Sequence, residues 1–228
     1  MMRIVAVIPA RGASKGIPRK NLQIVAGHPL LGHIIRTARQ VPGIDRVIVS
    51  TEDREIADTA RDYGAEVPFL RPPELALDEI PTLPVLTHAV HYLEEKENYR
   101  VDSIVLLYAT SPLLQAPRVS EGIAMMAGGE YDSVVSVEKD WGHFWREQSG
   151  TYERFYPLES VNRQYAIPLF RENGALPICT RDLLMERNMI EGGRVGMLVM
   201  ERGESIDIDD PADLDRVRYI LKTRKPPN

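Results

Sequence analysis

A continuous apolar run, Ile4 to Ile8, stands near the head of the chain, and Pro9 closes it. A run this short, apolar at every position, fits a strand buried on both faces of a sheet. Both faces must then be covered, and the following sequence supplies the cover. Leu30, Leu31, Ile34, Ile35, Ala38 and Val41 recur at helical spacing and predict an amphipathic helix. Arg46 to Ser50 reads as a second strand. Asp53 can cap a helix carrying Ile56, Ala57, Ala60 and Tyr63, with Gly64 as its stop. Glu66 to Leu70 reads as a third short strand, broken by Pro72-Pro73, and Thr82 can cap a helix containing Val85, Leu86, Ala89, Val90 and Leu93. Ile104 to Leu107 and Ser133 to Val137 are strand-like, with a helix over Val119 to Met126 between them. Asp210 would cap a last helix from Pro211 to about Leu221, with Pro211 in its first position.

Strands alternating with helices predict an α/β fold with a mainly parallel sheet, which binds ligands beyond the carboxyl ends of its strands. Residues 141–170 interrupt the rhythm with both tryptophans, Phe144, Phe155 and several Tyr and Arg residues. They read as an arm packed on the domain or on a second subunit. No repeat or linker divides the chain, so its 228 residues are expected to form one domain.

At 43% hydrophobic and 27% charged residues the composition is that of an ordinary globular protein. A net charge of −5 gives no general affinity for nucleic acid or anionic membrane, so cations serving an anionic substrate must be concentrated locally. The single cysteine, Cys179, can form neither an intrachain disulfide nor, alone, a zinc site, and reads as a small buried residue. The opening apolar run is too short for a signal peptide or membrane span, so a cytoplasmic location is the expectation. The five histidines show no metal-ligand spacing, and His88 and His91 read as structural.

The cations do cluster. Arg11, Lys15, Arg19 and Lys20 lie in the loop that leaves the first strand, together with Gly12 and Gly16, which allow close approach of backbone to ligand. The spacing matches neither the P-loop nor the dinucleotide fingerprint. Phosphate binding is one reading of this loop; a cationic surface loop is the other. In Ser205-Ile206-Asp207-Ile208-Asp209-Asp210, extended backbone turns Asp207 and Asp209 to one face and the two isoleucines to the other. Two such carboxylates can hold Mg²⁺, which takes its remaining ligands from water and phosphate. A helix start with acids near its positive end explains Asp210 and Asp209 but leaves Asp207 unexplained. Arg71, fixed before Pro72-Pro73, suits a base carbonyl or phosphate, or is a solvated arginine. Arg163 and Arg171 suit a carboxylate, or surface ion pairs.

Taken in order, these segments resemble one family. Ile8-Pro9-Ala10-Arg11-Gly12-Ala13-Ser14-Lys15-Gly16-Ile17-Pro18-Arg19-Lys20-Asn21 is similar to the opening signature of the acylneuraminate cytidylyltransferases, the CMP-sialic acid synthetases. Further matches are Val49 to Asp53, Leu70 to Leu75, Ala109 to Leu113, Tyr131 to Val137, Phe170 to Ala175 and Ser205 to Asp209. The resemblance implies a Rossmann-like nucleotidyltransferase fold with a small dimerisation arm, acting as a homodimer on CTP and a nine-carbon sugar acid. It implies that Arg11, Gly12, Ser14, Lys20 and Asn21 bind the nucleotide, with Arg71 and Thr82 toward cytosine and ribose. Asp207 and Asp209 would hold Mg²⁺ and, with Arg11 and Lys20, serve catalysis. Tyr108, Thr110, Ser111, Arg146, Arg163 and Arg171 would serve the sugar, some from the neighbouring subunit.

The chain departs from the family pattern in three places. Tyr108 stands where Gln is usual, Leu114 where Arg is frequent, and Leu176-Pro177 where an aromatic commonly follows Asn-Gly-Ala. By the resemblance all three fall on the sugar side, and a legionaminic or pseudaminic acid becomes an alternative to sialic acid. A cytidylyltransferase for an eight-carbon acid, and a nucleotide-binding regulator without catalysis, are the rival readings.

Overall fold

The computed structural model describes residues 2–156, 162 and 165–223. In chain order its strands are β1 (Ile4–Pro9), β2 (Ile24–Val25), β3 (His28–Pro29), β4 (Arg46–Ser50), β5 (Ser103–Leu106) and β6 (Ser133–Asp140). They continue with β7 (Trp145–Gln148), β8 (Thr151–Arg154), β9 (Leu169–Glu172), β10 (Ile178–Thr180) and β11 (Val195–Val199). The helices are α1 (Leu30–Arg39), α2 (Arg54–Asp62), α3 (Thr82–Lys96), α4 (Ala116–Ala127), α5 (Arg181–Met185) and α6 (Pro211–Thr223).

A seven-stranded sheet in the order β11-β6-β10-β5-β1-β4, with β9 beside β6, forms the centre. β1 is parallel to β4 and β5, and β6 to β11. β10 runs antiparallel to both β5 and β6, so β1, β4, β5, β6 and β11 all point one way. The reversal follows from the arm: the chain leaves β6, returns as β9 along its far half, and enters the sheet from the carboxyl end.

The apolar run of β1 is buried on both sides, as an all-apolar strand requires. Ile4, Ala6 and Ile8 join the core layer that holds the inner faces of α1, α2, α4 and α6. Val5 and Val7 face α3 and α5. Each fully buried Ile or Leu contributes roughly 1.5–3 kcal/mol. Cys179 sits in the second layer, and burial pushes its thiol up to about 12.

Helix starts are mixed in outcome. Asp53 caps α2 as expected, accepting from Ile56 N at 3.0 Å. Asp210 caps α6, accepting from Ala212 N and Asp213 N at 2.8 and 2.9 Å. Thr82 does not cap α3: Pro81 takes the cap position, no side chain caps the helix, and the Thr82 hydroxyl turns to Tyr108 at 3.2 Å. The expected third strand, Glu66 to Leu70, shrinks to a single bridge between Glu66 and Ile48. Pro68, without an N–H, cannot continue the ladder at this sheet edge.

Asp53→Ala should destabilise the fold by about 1 kcal/mol through loss of the cap. Thermal unfolding measures this, and the loss should vanish in acid. The Arg19 hydrogen bond, chiefly, holds the Asp53 carboxyl below the usual carboxylate range. Its stabilisation is therefore present above the unfolded carboxyl pKa and disappears as pH falls through the depressed folded value.

Candidate functional site

The loops that leave β1, β4 and β5 meet beyond the carboxyl ends of these strands. The first is held in shape by its own polar groups. The Ser14 hydroxyl donates to Ile17 O at 2.7 Å and accepts from Lys20 N at 3.1 Å. Buried Asn21 donates to Arg11 O at 2.9 Å, tying the end of the loop to its start.

This loop lies directly against the acidic segment near the C-terminus. Lys20 Nζ donates to Ile208 O at 2.7 Å and stands 3.8 Å from Asp209 Oδ1. Ile206 and Ile208 are buried, whereas Asp207 and Asp209 are exposed, so both carboxylates lie on the outer side of the segment. Ile208 N in turn donates to Thr110 O at 2.9 Å, joining the loop after β5 to the same assembly. Gly16 permits the approach: a Cβ there would lie 2.5 Å from Asp209 O.

A cleft of about 230 Å³ opens beside these loops, walled by Arg11, Arg71, Asp78, Thr82, Val85 and Tyr108 among others. Arg71 is 4% exposed. Its Nη2 donates to Glu52 Oε2 at 2.8 Å, while Glu52 Oε1 accepts from Gly12 N at 2.7 Å. Glu52 therefore fixes the first loop and Arg71 together. Asp78 pairs with Arg11 at 2.5 Å and with Lys15 at 2.8 Å. Lys15, and then the Arg11 charge, hold its carboxyl below the usual range. Tyr108 and Thr82 also wall a second cleft, of about 400 Å³, with Leu106, Pro177, Met189 and Glu191. Burial pushes the Tyr108 phenol up, and the negative charge of Asp207 adds to it, so the hydroxyl stays protonated at neutral pH.

Arg11, Gly12, Ser14, Lys20, Asn21, Arg71, Thr82, Tyr108, Thr110, Asp207 and Asp209 are thus brought to the carboxyl end of the sheet. Ser111 is buried in the same loop, with its hydroxyl unpartnered among the described residues. Three further cations lie elsewhere in the single chain. Arg19 turns away to Asp53 and Glu55. Arg146 lies on the β7–β8 ribbon, paired with Glu153 and stacked on Phe155 at 5.2 Å. Arg171 pairs with Glu138 and, at 3.5 Å, with Asp140 across β6 and β9. Arg163 lies outside the described residues. Of the three departures from the family pattern, Tyr108 and Pro177 wall the second cleft, but Leu114 is buried in the core and lines neither. Glu52 and Asp78 were not singled out from sequence; Glu52 sits within Val49 to Asp53, a segment that stood out without any assigned role.

A cationic loop and an acidic loop meet where an open α/β sheet binds its ligands, beyond the carboxyl ends of its strands, and the family that the chain matches makes it a nucleotidyltransferase. The Cytidylyltransferase family model matches residues 5–184, and the chain belongs to that family. It is 32% identical over 219 residues to the CMP-N,N'-diacetyllegionaminic acid synthase of Legionella pneumophila, covering 93% of each. It is 33% identical over 218 residues to N-acylneuraminate cytidylyltransferase A of Danio rerio, covering 93% of this chain and 49% of that longer one. In fold it is similar to a CMP:2-keto-3-deoxy-manno-octonic acid synthetase solved with CTP. The TM-score is 0.71 and the identity 17%, over 96% of this chain and 98% of that one.

Proposed function

We propose that the chain transfers CMP from CTP to the anomeric hydroxyl of a nonulosonic acid and releases pyrophosphate. The single observation that carries this reading is the junction of the two loops, where Lys20 bonds Ile208 O beside Asp209. Both relatives above are named for such acids. The eight-carbon alternative rests on likeness of fold alone, at 17% identity.

The anomeric oxygen bonds to the α-phosphorus as the bond to the bridging oxygen breaks, and the hydroxyl proton leaves to solvent. Lys20 keeps N–H groups free of Ile208 for the phosphates, and Arg11 exchanges Asp78 for phosphate oxygen. Charge developing on the leaving oxygens then meets cations already in position. Arg71, held by Glu52, faces the nucleotide across the smaller cleft.

Asp207 and Asp209 suit Mg²⁺. They are hard oxygen donors, both exposed, and no group of three or more His, Cys, Asp or Glu among the described residues forms a complete cage. An ion seated there would keep water and phosphate ligands, neutralise charge and orient the triphosphate. The β7–β8 ribbon, exposed along both strands with Trp145 and Tyr152 outward, is marginal alone and gains a partner in a homodimer. No helix among the described residues is long and apolar enough to cross a membrane, and we place the reaction in the cytoplasm.

The test is pyrophosphate release with CTP, Mg²⁺ and a panel of eight- and nine-carbon sugar acids. Turnover confined to the nine-carbon acids is expected; none with any of them would refute the assignment. Because Tyr108 walls both clefts, Tyr108→Gln should change the ranking of acceptors by about tenfold between the best two. An unchanged ranking removes Tyr108 from acceptor selection.

A further inference from the structure

Two polar atoms shielded from solvent beside the nucleotide cleft have no partner among the described residues: Nε of Arg71 and Nδ1 of His88. The Arg71 guanidinium meets a carboxylate through Nη2, at Glu52. His88 lies on α3 one turn beyond Val85, and both Val85 and Arg71 wall the cleft. Phe69, two residues before Arg71, packs edge-on against the His88 ring at 4.6 Å, and Tyr92 covers the same phenyl ring at 4.9 Å. The imidazole is therefore pinned against the segment that carries Arg71. A buried donor and a buried acceptor left unpaired on adjoining segments are costly unless each finds a partner.

We propose that His88 is a positioning residue for Arg71: with nucleotide bound, its neutral ring accepts the Arg71 Nε–H at Nδ1, directly or through one water. The guanidinium plane is thereby fixed against the base or phosphate. This rests on the reading of Arg71 as a nucleotide contact. The charged groups that face the ring are Arg71, His91 on its own helix and Glu74 in the Pro73–Leu75 turn. Burial favours the neutral imidazole; Arg71 and then His91 add to that, and Glu74 opposes them. Acid therefore replaces an acceptor by a like charge, and nucleotide binding weakens as His88 protonates.

The experiment is CTP affinity by calorimetry at pH 8 and pH 5, the acid arm lying well below the ordinary imidazole range because His88 is held neutral, for the wild type, Arg71→Ala, His88→Asn and His88→Phe. Asn keeps an acceptor near the place of Nδ1 but does not titrate. Phe keeps a ring against Phe69 but offers no acceptor. His88→Phe should lose roughly tenfold at both pH values. His88→Asn should stay within about threefold of wild type at pH 8 and fall less than wild type at pH 5. Arg71→Ala carries whatever the protonation of CTP itself contributes. Wild-type affinity in His88→Phe, or an acid loss in His88→Asn equal to that of the wild type, overturns the proposal. Wild-type affinity in Arg71→Ala overturns it by removing Arg71 from the nucleotide. A wild type that fails to bind CTP removes the proposed function with it.

Discussion

Asp209→Ala is expected to keep the fold and to lower CMP transfer by about 10²- to 10³-fold. The side chain is exposed and its nearest cation, Lys20, stands 3.8 Å away, so its loss costs the fold little. The α6 cap is also spared, because Asp210 makes it. Pyrophosphate release followed across a Mg²⁺ titration, beside a melting curve, measures both halves of the expectation. Turnover like that of the wild type at every Mg²⁺ concentration, low ones included, would remove Asp209 from metal binding.

Gly16→Ala should be nearly as damaging, with no charge or functional group removed. The added methyl meets the Asp209 carbonyl at 2.5 Å, and a backbone atom cannot swing aside as a flexible side chain would. The first loop or the acidic segment must shift, and Lys20 moves off Ile208 O with it. Displacement near 1 Å at a reacting centre costs up to about 10²-fold. We expect kcat to fall by roughly that factor while the melting temperature changes little. Equal kcat in the variant would show that the two loops do not have to meet as closely as they do.

Much of this was legible before the fold was known, because periodicity is a local signal. The all-apolar β1, the amphipathic α1, the caps at Asp53 and Asp210, and the alternation from Ile206 to Asp209 can each be read within a dozen residues. What distance alone creates was not legible. Glu52 is one acid in a charged stretch until Gly12 N and Arg71 close on it from opposite sides. Asp78 resembles any surface carboxylate until the first loop folds over to reach it. The antiparallel β10 could not be seen either, since its direction is set by where the arm returns and not by its own residues. Local rules failed where a tertiary partner outbid them: Thr82 has the right side chain for a cap, but Tyr108 takes its hydroxyl.

Asp78 has a consequence for how the cleft meets solution. A carboxylate shared by Arg11 and Lys15 cancels one of their two charges while the mouth waits. Passing sulfate or single phosphate groups then meet one net positive charge in place of two. A triphosphate, able to grip both cations at once, can outcompete one carboxylate for them. The switch exchanges one ion pair for another, so binding should respond to added salt less steeply than the number of cations at the mouth suggests.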